Sequence, residues 1–216
     1  MKGSAGAEKF VPASRSLSHL RAAVQDCRGC DLYKNATQAV FGEMESGRAA
    51  KKSVVSIMMI GEQPGDHEDL EGRPFVGPAG KLLDACLEEA GIDRGTVYVT
   101  NAVKHFKWEP RGKLRIHKKP DIKEVRACRP WLDAEVEAVR PRLIVALGAV
   151  AAQDLLGANF RVTKEHGRVQ QREGLPPILP TLHPSAVLRA VTPEDRAEQR
   201  KMLVEDLREA ARFALK

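Results

Sequence analysis

Residues 54–65 read Val-Val-Ser-Ile-Met-Met-Ile-Gly-Glu-Gln-Pro-Gly, and they indicate the fold class most directly. Its first seven residues form a nearly continuous apolar run, which is typical of a parallel strand buried on both faces. The predicted strand ends in a turn that carries Glu62. Since α/β folds bind ligands beyond the carboxyl ends of their strands, Glu62 is a candidate for a functional site.

Strands and helices alternate outward from this stretch. Further strands are predicted over residues 96–103 and 143–147, and short strands broken by Gly and Pro over 160–182. Helices are predicted over 16–25, 78–90, 121–139 and 149–156, and Thr192-Pro193 opens a final long helix. This order predicts a three-layer α/β/α sandwich with a mainly parallel central sheet, in a single domain over residues 1–216. Residues 1–13 are expected to be a flexible tail and 42–52 a polar connector.

The composition sets the class of protein. A chain of 216 residues suffices for one domain with a full core. It contains no apolar stretch of membrane-spanning length, and residues 1–13 lack the apolar core of a signal peptide, so a cytoplasmic location is expected. In that compartment the four cysteines are metal ligands or core residues rather than disulfides. Nothing in the sequence indicates an oligomer, and a monomer is expected.

Positive charge is concentrated in one segment. The chain has a net charge of +6, and residues 104–119 hold seven Lys or Arg against the single acid Glu109. We therefore predict a basic, DNA-facing loop over residues 104–120, with a solvated basic loop as the alternative. The candidate phosphate contacts are Lys104, Lys107, Arg111, Lys113, Lys118 and Lys119.

Four short motifs carry a family resemblance. Residues 60–65 and the distant Thr-Leu-His-Pro-Ser at 181–185 resemble motifs A and B of the uracil-DNA glycosylase superfamily. The segment Thr-Asn-Ala-Val-Lys-His at 100–105 is similar to the strand end of the iron–sulfur, family-four enzymes. The segment Lys-Leu-Arg-Ile-His at 113–117 resembles the Lys-Arg-Arg-Ile-His of the UdgX type, which excises uracil and stays bonded to DNA. Leu114 departs from that pattern and removes a phosphate contact or salt-bridge donor.

The resemblance implies a pocket for an extruded uracil. Asn101 would read the base, because its amide can donate to O4 and accept from N3–H, a pattern that cytosine reverses. Phe75 would stack on the base, although an aromatic in a Gly/Pro-rich loop can also be a simple anchor. Trp108, within the basic segment, would instead stack on a neighbouring base or wedge into the strand. The remaining pocket candidates are Gly61, Asp66, Asp69, Arg115 and Ser185, with a solvated acidic loop as the alternative for the two aspartates.

The resemblance also implies the chemical roles. His183 would stabilise the departing uracil anion through O2, and Glu62 would stabilise the sugar cation or orient a water. Gln63 would position the base or a water. His117 would attack C1′ and form a covalent bond to the abasic sugar, with a simple phosphate contact as the alternative.

A metal centre is the last expectation. Cys27-x₂-Cys30 is a two-ligand turn, whereas Cys86 shares a helical face with leucines and reads as core. The resemblance implies a [4Fe–4S] cluster on Cys27, Cys30, His105 and Cys128, while a Cys₃His zinc site fits the same residues by spacing alone.

Three functions follow from these expectations. The first is a uracil-DNA glycosylase with covalent capture, acting on uracil-containing DNA that is preferably single-stranded. The second is a conventional glycosylase that turns over by water attack. The third is an iron–sulfur nucleic-acid-binding protein without chemistry.

Overall fold

The computed structural model describes residues 6–44 and 55–214, and five of its strands form one sheet. These strands are β1 (Glu43–Met44), β2 (Ile57–Gly61), β3 (Val97–Asn101), β6 (Leu143–Leu147) and β7 (Ile178–Thr181). Their order is β1-β3-β2-β6-β7. All pairs are parallel except that of the edge strand β1, which is antiparallel to β3. The predicted mainly parallel sheet is therefore confirmed, although Val54 lies outside the described residues.

Helices cover both faces of this sheet. They are α1 (Leu17–Ala23), α2 (Asp66–Glu71), α3 (Pro78–Glu89), α4 (Ile122–Val139), α5 (Gly148–Leu156), α6 (Val162–Glu165), α7 (Pro184–Leu188) and α8 (Pro193–Ala214). Apolar residues of α3 and α8 pack on one face, and those of α4 and α5 pack on the other. The three-layer α/β/α sandwich in one domain is thus confirmed.

The two-sided burial explains the apolar run at residues 54–60. Ile57 and Met59 point into the core shared with α3 and α8, whereas Met58 and Ile60 point into the core shared with α4 and α5. All four side chains are fully buried. A strand with cores on both faces needs apolar residues at every position rather than at alternate ones.

The observed ends of the helices agree with the predicted ones to within a few residues. Thr192 caps the last helix, because its Oγ1 accepts the backbone N–H of Asp195 at 3.0 Å. Asp121 caps α4 in the same way for Lys123 and Glu124. Helix α4 runs on through Pro130 to Val139.

Two expectations about irregular segments are wrong. Residues 104–120 are not a loop, because β4 (Trp108–Arg111) and β5 (Leu114–His117) pair into an antiparallel hairpin. The stretch 160–182 contributes α6 and the single strand β7, together with an isolated bridge from Gln170 to Ile178, rather than several strands.

The N-terminal segment also differs from the expected flexible tail. Ala7–Phe10 form a 3₁₀ helix, and Ala7 is buried in a cluster with Leu20, Cys27 and Trp131. A small side chain fits here because the backbone of Gly29 lies against it. Residues 1–5, and residues 45–52 of the expected connector, lie outside the described residues. No described helix is long and apolar enough to cross a membrane.

Candidate active site

A cavity of about 440 Å³ opens at the carboxyl ends of the parallel strands. Residues at or just beyond the ends of β2, β3, β6 and β7 line it, and His117 joins them from the hairpin. The lining residues that bear on chemistry are Glu62, Gln63, Phe75, Asn101, His117, His183 and Ser185. The topology thus brings together side chains that lie far apart in the sequence, at the position where open α/β sheets bind ligands.

Glu62 and His117 face each other across this cavity. The distance from His117 Nε2 to Glu62 Oε1 is 3.5 Å, and this oxygen is buried without a hydrogen-bond partner among the described residues. Burial raises the pKa of Glu62, while the nearby charges of Lys119 and Arg189 lower it. Burial, reinforced by Arg189, lowers the pKa of His117 below its usual 6.5, so the ring is neutral at pH 7. An unsatisfied carboxylate oxygen therefore points at a neutral imidazole, as functional sites allow and cores do not.

His183 is held in one tautomer by its own turn. The backbone N–H of Ser185 donates to Nδ1 at 3.1 Å, and Ser185 Oγ lies 2.8 Å from the same atom. Burial lowers the pKa of His183 to about 4, so the ring is neutral. Because Nδ1 accepts a hydrogen bond, the proton must be on Nε2, which is then a donor for the cavity.

Phe75 forms the wall beside this histidine. Its ring stacks on that of His183, with centroids 6.1 Å apart. The backbone of Phe75 is left-handed, with φ 58°. Its carbonyl group lies so close to Gly80 of α3 that no side chain could occupy that helix position. A non-glycine residue in this conformation costs about 1–3 kcal/mol, so the surrounding contacts must hold it.

Asn101 forms the floor at the end of β3 and is 3% exposed. Gly61 of the neighbouring strand pairs with it, and a Cβ at Gly61 would meet the Asn101 amide oxygen and the Phe75 ring. Beneath it, Lys104 Nζ donates to the Asn101 carbonyl at 2.7 Å and to Thr100 Oγ1 at 2.8 Å. Lys104 is also paired with Glu135, and both side chains are fully buried.

Comparison with known proteins points to one family. A family model described as the uracil DNA glycosylase superfamily matches residues 51–208. The chain is 34% identical over 210 residues to the Type-4 uracil-DNA glycosylase of Sulfurisphaera tokodaii, covering 93% of this chain and 86% of that protein. It is 37% identical over 194 residues to the Type-4 enzyme of Thermotoga maritima, covering 89% and 92%. A Type-5 uracil-DNA glycosylase of Thermus thermophilus is 33% identical over 178 residues, covering 73% and 75%.

The chain belongs to the uracil-DNA glycosylase superfamily. It is an enzyme of that superfamily, as its sequence motifs predict. The relatives reported above are Type-4 and Type-5 proteins, so the UdgX subtype remains a prediction.

Within this superfamily member, Lys104 does not have the role that the sequence suggested. The expectation that it contacts DNA phosphates is wrong, because it is fully buried in an ion pair with Glu135. Tyr98 and the backbone N–H of Gly42 also donate to Glu135, each at 2.9 Å. This network supports the backbone that presents Asn101, and Glu135 is a contributor that sequence reasoning missed.

Gln63 lines the cavity but its amide serves the hairpin. Its Nε2 donates to the carbonyl groups of Lys107 and Lys118, each at 3.1 Å, and its Oε1 accepts from Lys107 N at 3.0 Å. Three hydrogen bonds thus engage the Gln63 amide with the base of the hairpin, and its predicted role in positioning the base or a water stays a prediction.

Arg115, Asp66 and Asp69 form a latch rather than part of the base pocket. Arg115 donates to Asp66 Oδ1 and Asp69 Oδ2, each at 2.6 Å, and none of the three lines the cavity. Their predicted substrate-binding role is thus not supported by their positions. The Arg115 guanidinium also lies over the rings of Phe106 and Trp108. Trp108 donates to the Asn35 carbonyl at 2.8 Å, so it anchors the hairpin.

The other basic candidates divide by their partners. Lys107 is paired with Glu124 at 2.6 Å, so its charge is already neutralised within the protein. Lys118 is paired with Glu109 at 3.0 Å on the surface. Arg111, Lys113 and Lys119 are exposed and have no ion-pair partner among the described residues. The free positive charge therefore lies at the hairpin tip and just after β5.

Two residues that line the cavity, Glu68 and Arg189, are not among those predicted from the sequence. Glu68 accepts the backbone N–H of Gly65 at 3.1 Å and that of Gly77 at 2.8 Å, and so joins two loops that shape the cavity. Its position three residues after Gly65 is a capping-box signal. Arg189 lies at the rim and its charge lowers the pKa of Glu62, His117 and His183. Nothing in its surrounding sequence marks it.

The cysteines fall into two groups. Cys86 is fully buried in the α3–α8 core, as its helical face predicts. Cys27, Cys30 and Cys128 share one buried cluster. Two N–H groups point at their sulfurs: Trp131 Nε1 lies 3.1 Å from Cys27 Sγ and Lys104 N lies 3.3 Å from Cys128 Sγ. Burial raises the pKa of Cys128 to about 12, so it is an unpaired thiol unless a metal binds it.

The fourth predicted metal ligand is His105, which is 5% exposed. Burial lowers the pKa of this ring to about 4, so it is neutral and chemically competent to bind a metal. Within residues 6–44 and 55–214, no three His, Cys, Asp or Glu side chains are placed to hold a metal ion. The donor set of three thiols with N–H donors to sulfur fits an iron–sulfur centre in chemistry.

Proposed function

We propose that this protein excises uracil from DNA and then bonds to the abasic sugar through His117. The observation that carries the proposal is the unsatisfied Glu62 Oε1, which lies 3.5 Å from His117 Nε2 in a cavity also lined by Asn101 and His183. This arrangement supplies a base reader, a donor for the leaving group, a carboxylate and a nucleophile in one place.

Recognition of the base rests on Asn101 and Phe75. The Asn101 amide donates to uracil O4 and accepts from N3–H, and the ring of Phe75 stacks on the extruded base. Cytosine would place an amine against the amide donor and leave buried polar groups unpaired. Because Asn101 is 3% exposed, water cannot relieve that mismatch, and rejection is strong.

Bond cleavage uses His183 and Glu62. The C1′–N1 bond breaks with both electrons going to uracil, so negative charge develops on the base and positive charge on the sugar. The Nε2–H of His183 donates to uracil O2, and the carboxylate of Glu62 stabilises the sugar cation. The low pKa of His183 keeps the ring neutral, so its Nε2–H donates to the developing anion without a positive charge on the ring.

Capture uses the lone pair of neutral His117. A nitrogen of its ring forms a bond to C1′, and the positive charge passes from the sugar to the imidazolium, beside Glu62. A side chain held at the cavity has a far higher effective concentration than a water molecule in transit. We expect the reaction to end at this adduct.

Conventional turnover is the second candidate function. It is favoured by the names of the relatives, which are Type-4 and Type-5 uracil-DNA glycosylases. In this case water rather than His117 attacks the sugar cation, and Glu62 orients that water.

The substrate strand is expected to be single-stranded, since extrusion of a base then costs less. Exposed cations at the hairpin, Arg111, Lys113, Lys118 and Lys119, would follow its phosphates. We also propose that the protein acts as a cytoplasmic monomer.

We further propose a structural [4Fe–4S] cluster on Cys27, Cys30 and Cys128, with His105 as the fourth ligand. The bound cluster would tie the N-terminal segment to α4 and to the base of the hairpin. Broad visible absorption with about four iron per chain supports it, whereas a colourless protein with one zinc per chain would replace it with the zinc alternative.

One gel assay tests the main proposal. Fluorescent oligonucleotide with a single deoxyuridine is incubated with the wild type, His117→Ser or the control His19→Ser, an exposed histidine of α1. We expect a denaturant-resistant adduct with the wild type and the control, and uracil excision without adduct with His117→Ser. An adduct in His117→Ser contradicts the assignment. Excision without any adduct in the wild type means ordinary turnover, and neither signal means a binding protein without chemistry.

A further inference from the structure

A second cavity of about 400 Å³ lies between the first half of α4 and the outer side of α5. Its wall is apolar, with Val125 and Val150 almost fully buried and Ile122 52% exposed at the mouth. Its rim is basic, because Lys119 and Arg126 line it and are exposed. We call this cavity the side cleft.

The charges of the side cleft leave two cations free. Arg129 is already paired with Asp133 at 2.6 Å and with Asp154 at 3.3 Å, so the acidic group of the cleft is neutralised within the protein. Neither Lys119 nor Arg126 has a hydrogen-bond or ion-pair partner among the described residues. The free groups of the cleft therefore attract an anion that also has an apolar part.

The side cleft adjoins the candidate active site. His117 lines the active-site cavity and Lys119 lines the cleft, so the two positions are separated by no more than about 7 Å of chain. On the other side, Ala149 lines the first cavity and its neighbour Val150 lines the second. The charge of Lys119 also acts on Glu62 and lowers its pKa. The side cleft is therefore within reach of a DNA strand whose uridine occupies the active-site cavity.

We propose that the side cleft binds the nucleotide that adjoins the extruded uridine in the same DNA strand. Its phosphate lies between Lys119 and Arg126, and its sugar or base lies against Ile122, Val125 and Val150. A nucleotide suits this combination of two free cations and an apolar wall, whereas an apolar peptide would cover the cations without pairing them. This inference rests on the proposed function, because it assigns a neighbour to the same substrate.

The test neutralises the DNA one phosphate at a time. Short single strands carry 2′-fluoro-deoxyuridine, which resists excision, and one methylphosphonate linkage placed in turn at each position around it. Binding is measured by fluorescence anisotropy for the wild type, for Arg126→Ala and for Arg142→Ala. Arg142 is a matched control, since it is an exposed arginine just before the amino end of β6, whereas the cavity lies at the carboxyl ends of the strands.

We expect the wild type and Arg142→Ala to lose about five- to tenfold in affinity when a linkage next to the uridine is neutralised. Arg126→Ala should already bind the unmodified strand more weakly, should lose less than twofold at that linkage, and should show a salt slope smaller by about 0.7. If Arg126→Ala keeps the wild-type profile at every linkage, the side cleft does not bind the strand and another partner must occupy it.

The same proteins are assayed for uracil release from an ordinary deoxyuridine strand. A wild type that releases no uracil contradicts the proposed function itself. Uracil release together with an unchanged phosphate profile in Arg126→Ala contradicts only the side cleft, so the two failures are distinguishable.

Discussion

The floor of the cavity and the hairpin above it are held by opposite means. Beneath the floor, Lys104 and Glu135 form an ion pair with no exposed surface and fix the backbone of Asn101. The hairpin is held by Arg115, which is 20% exposed and is paired with Asp66 and Asp69. The floor thus belongs to the core, whereas His117 is carried by an added two-stranded sheet. Uracil excision should therefore depend on the contacts that hold the floor, whereas capture should depend on the contacts that hold the hairpin.

The largest expected effect breaks the floor. Lys104→Met leaves Glu135 buried and unpaired, and we expect the free energy of unfolding to fall by about 3–5 kcal/mol. Arg115→Met should cost no more than about 2 kcal/mol, because Asp66 is solvated and Asp69 keeps the N–H of Thr37 at 3.0 Å. Urea unfolding measures both. The double variant Lys104→Met/Glu135→Leu should recover part of the loss, and equal losses in the two single variants would remove the contrast.

The next largest effect is on the departure of uracil, to which His183 is the proposed hydrogen-bond donor. His183→Ala should slow single-turnover uracil excision by about 100- to 1,000-fold, since it removes the only proposed donor to O2. Ser185→Ala is the matched control and should slow it less than about tenfold, because the backbone N–H of Ser185 still holds Nδ1. Alkaline cleavage of the abasic product gives both rates. A His183→Ala protein that excises normally but binds DNA poorly would exclude the assigned role.

A smaller effect is expected from the hairpin latch. Arg115→Met should lower the fraction of excision events that end in the adduct by about tenfold, because His117 is then held less closely to C1′. Excision itself should stay within about threefold of the wild type. Arg111→Met, on the same hairpin but without an ion-pair partner among the described residues, should leave this fraction unchanged. Denaturing gels report adduct and free product together, and a parallel loss of both would place the latch within the excision machinery.

The smallest effect is in the pH dependence of capture. The nucleophile is the neutral ring, so capture falls only as pH drops through the lowered pKa of His117, which lies below 6.5. We expect the adduct fraction to be constant from pH 8 down to about 6.5 and to fall at lower pH. Excision by His117→Ser at the same pH values is the control for His183 and Glu62. A fraction already halved at pH 6.5 would show that burial does not shift this ring.

The same contrast explains what the sequence could predict. The floor residues follow strands whose apolar runs are visible, so their convergence at one sheet edge follows from topology alone. The hairpin is less visible in the sequence. Lys-Leu-Arg-Ile-His alternates, and Gly112 with Lys113 forms a two-residue turn between Arg111 and Leu114, but the density of charge in this segment favours the prediction of a loop.

Ion pairs between distant residues are the second feature that the sequence does not reveal. A lysine in a basic segment looks like a phosphate contact. Only the position of Glu135 on α4, with which it forms a fully buried ion pair, shows that Lys104 is in the core. Likewise Arg115, Asp66 and Asp69 come from two segments, and no local pattern reveals that they meet. Partners far apart in the sequence are set by packing, which one sequence does not display.

Phe75 and Gly80 have a consequence for anyone who would re-engineer the base pocket. A saturation library would normally target the cavity lining and leave the interior of α3 alone. Here the strained turn that presents the aromatic wall is held against the bare backbone of that helix. A substitution at position 80 would therefore move the wall without touching DNA, and libraries that pair positions 75 and 80 would reach pocket shapes that lining changes alone do not.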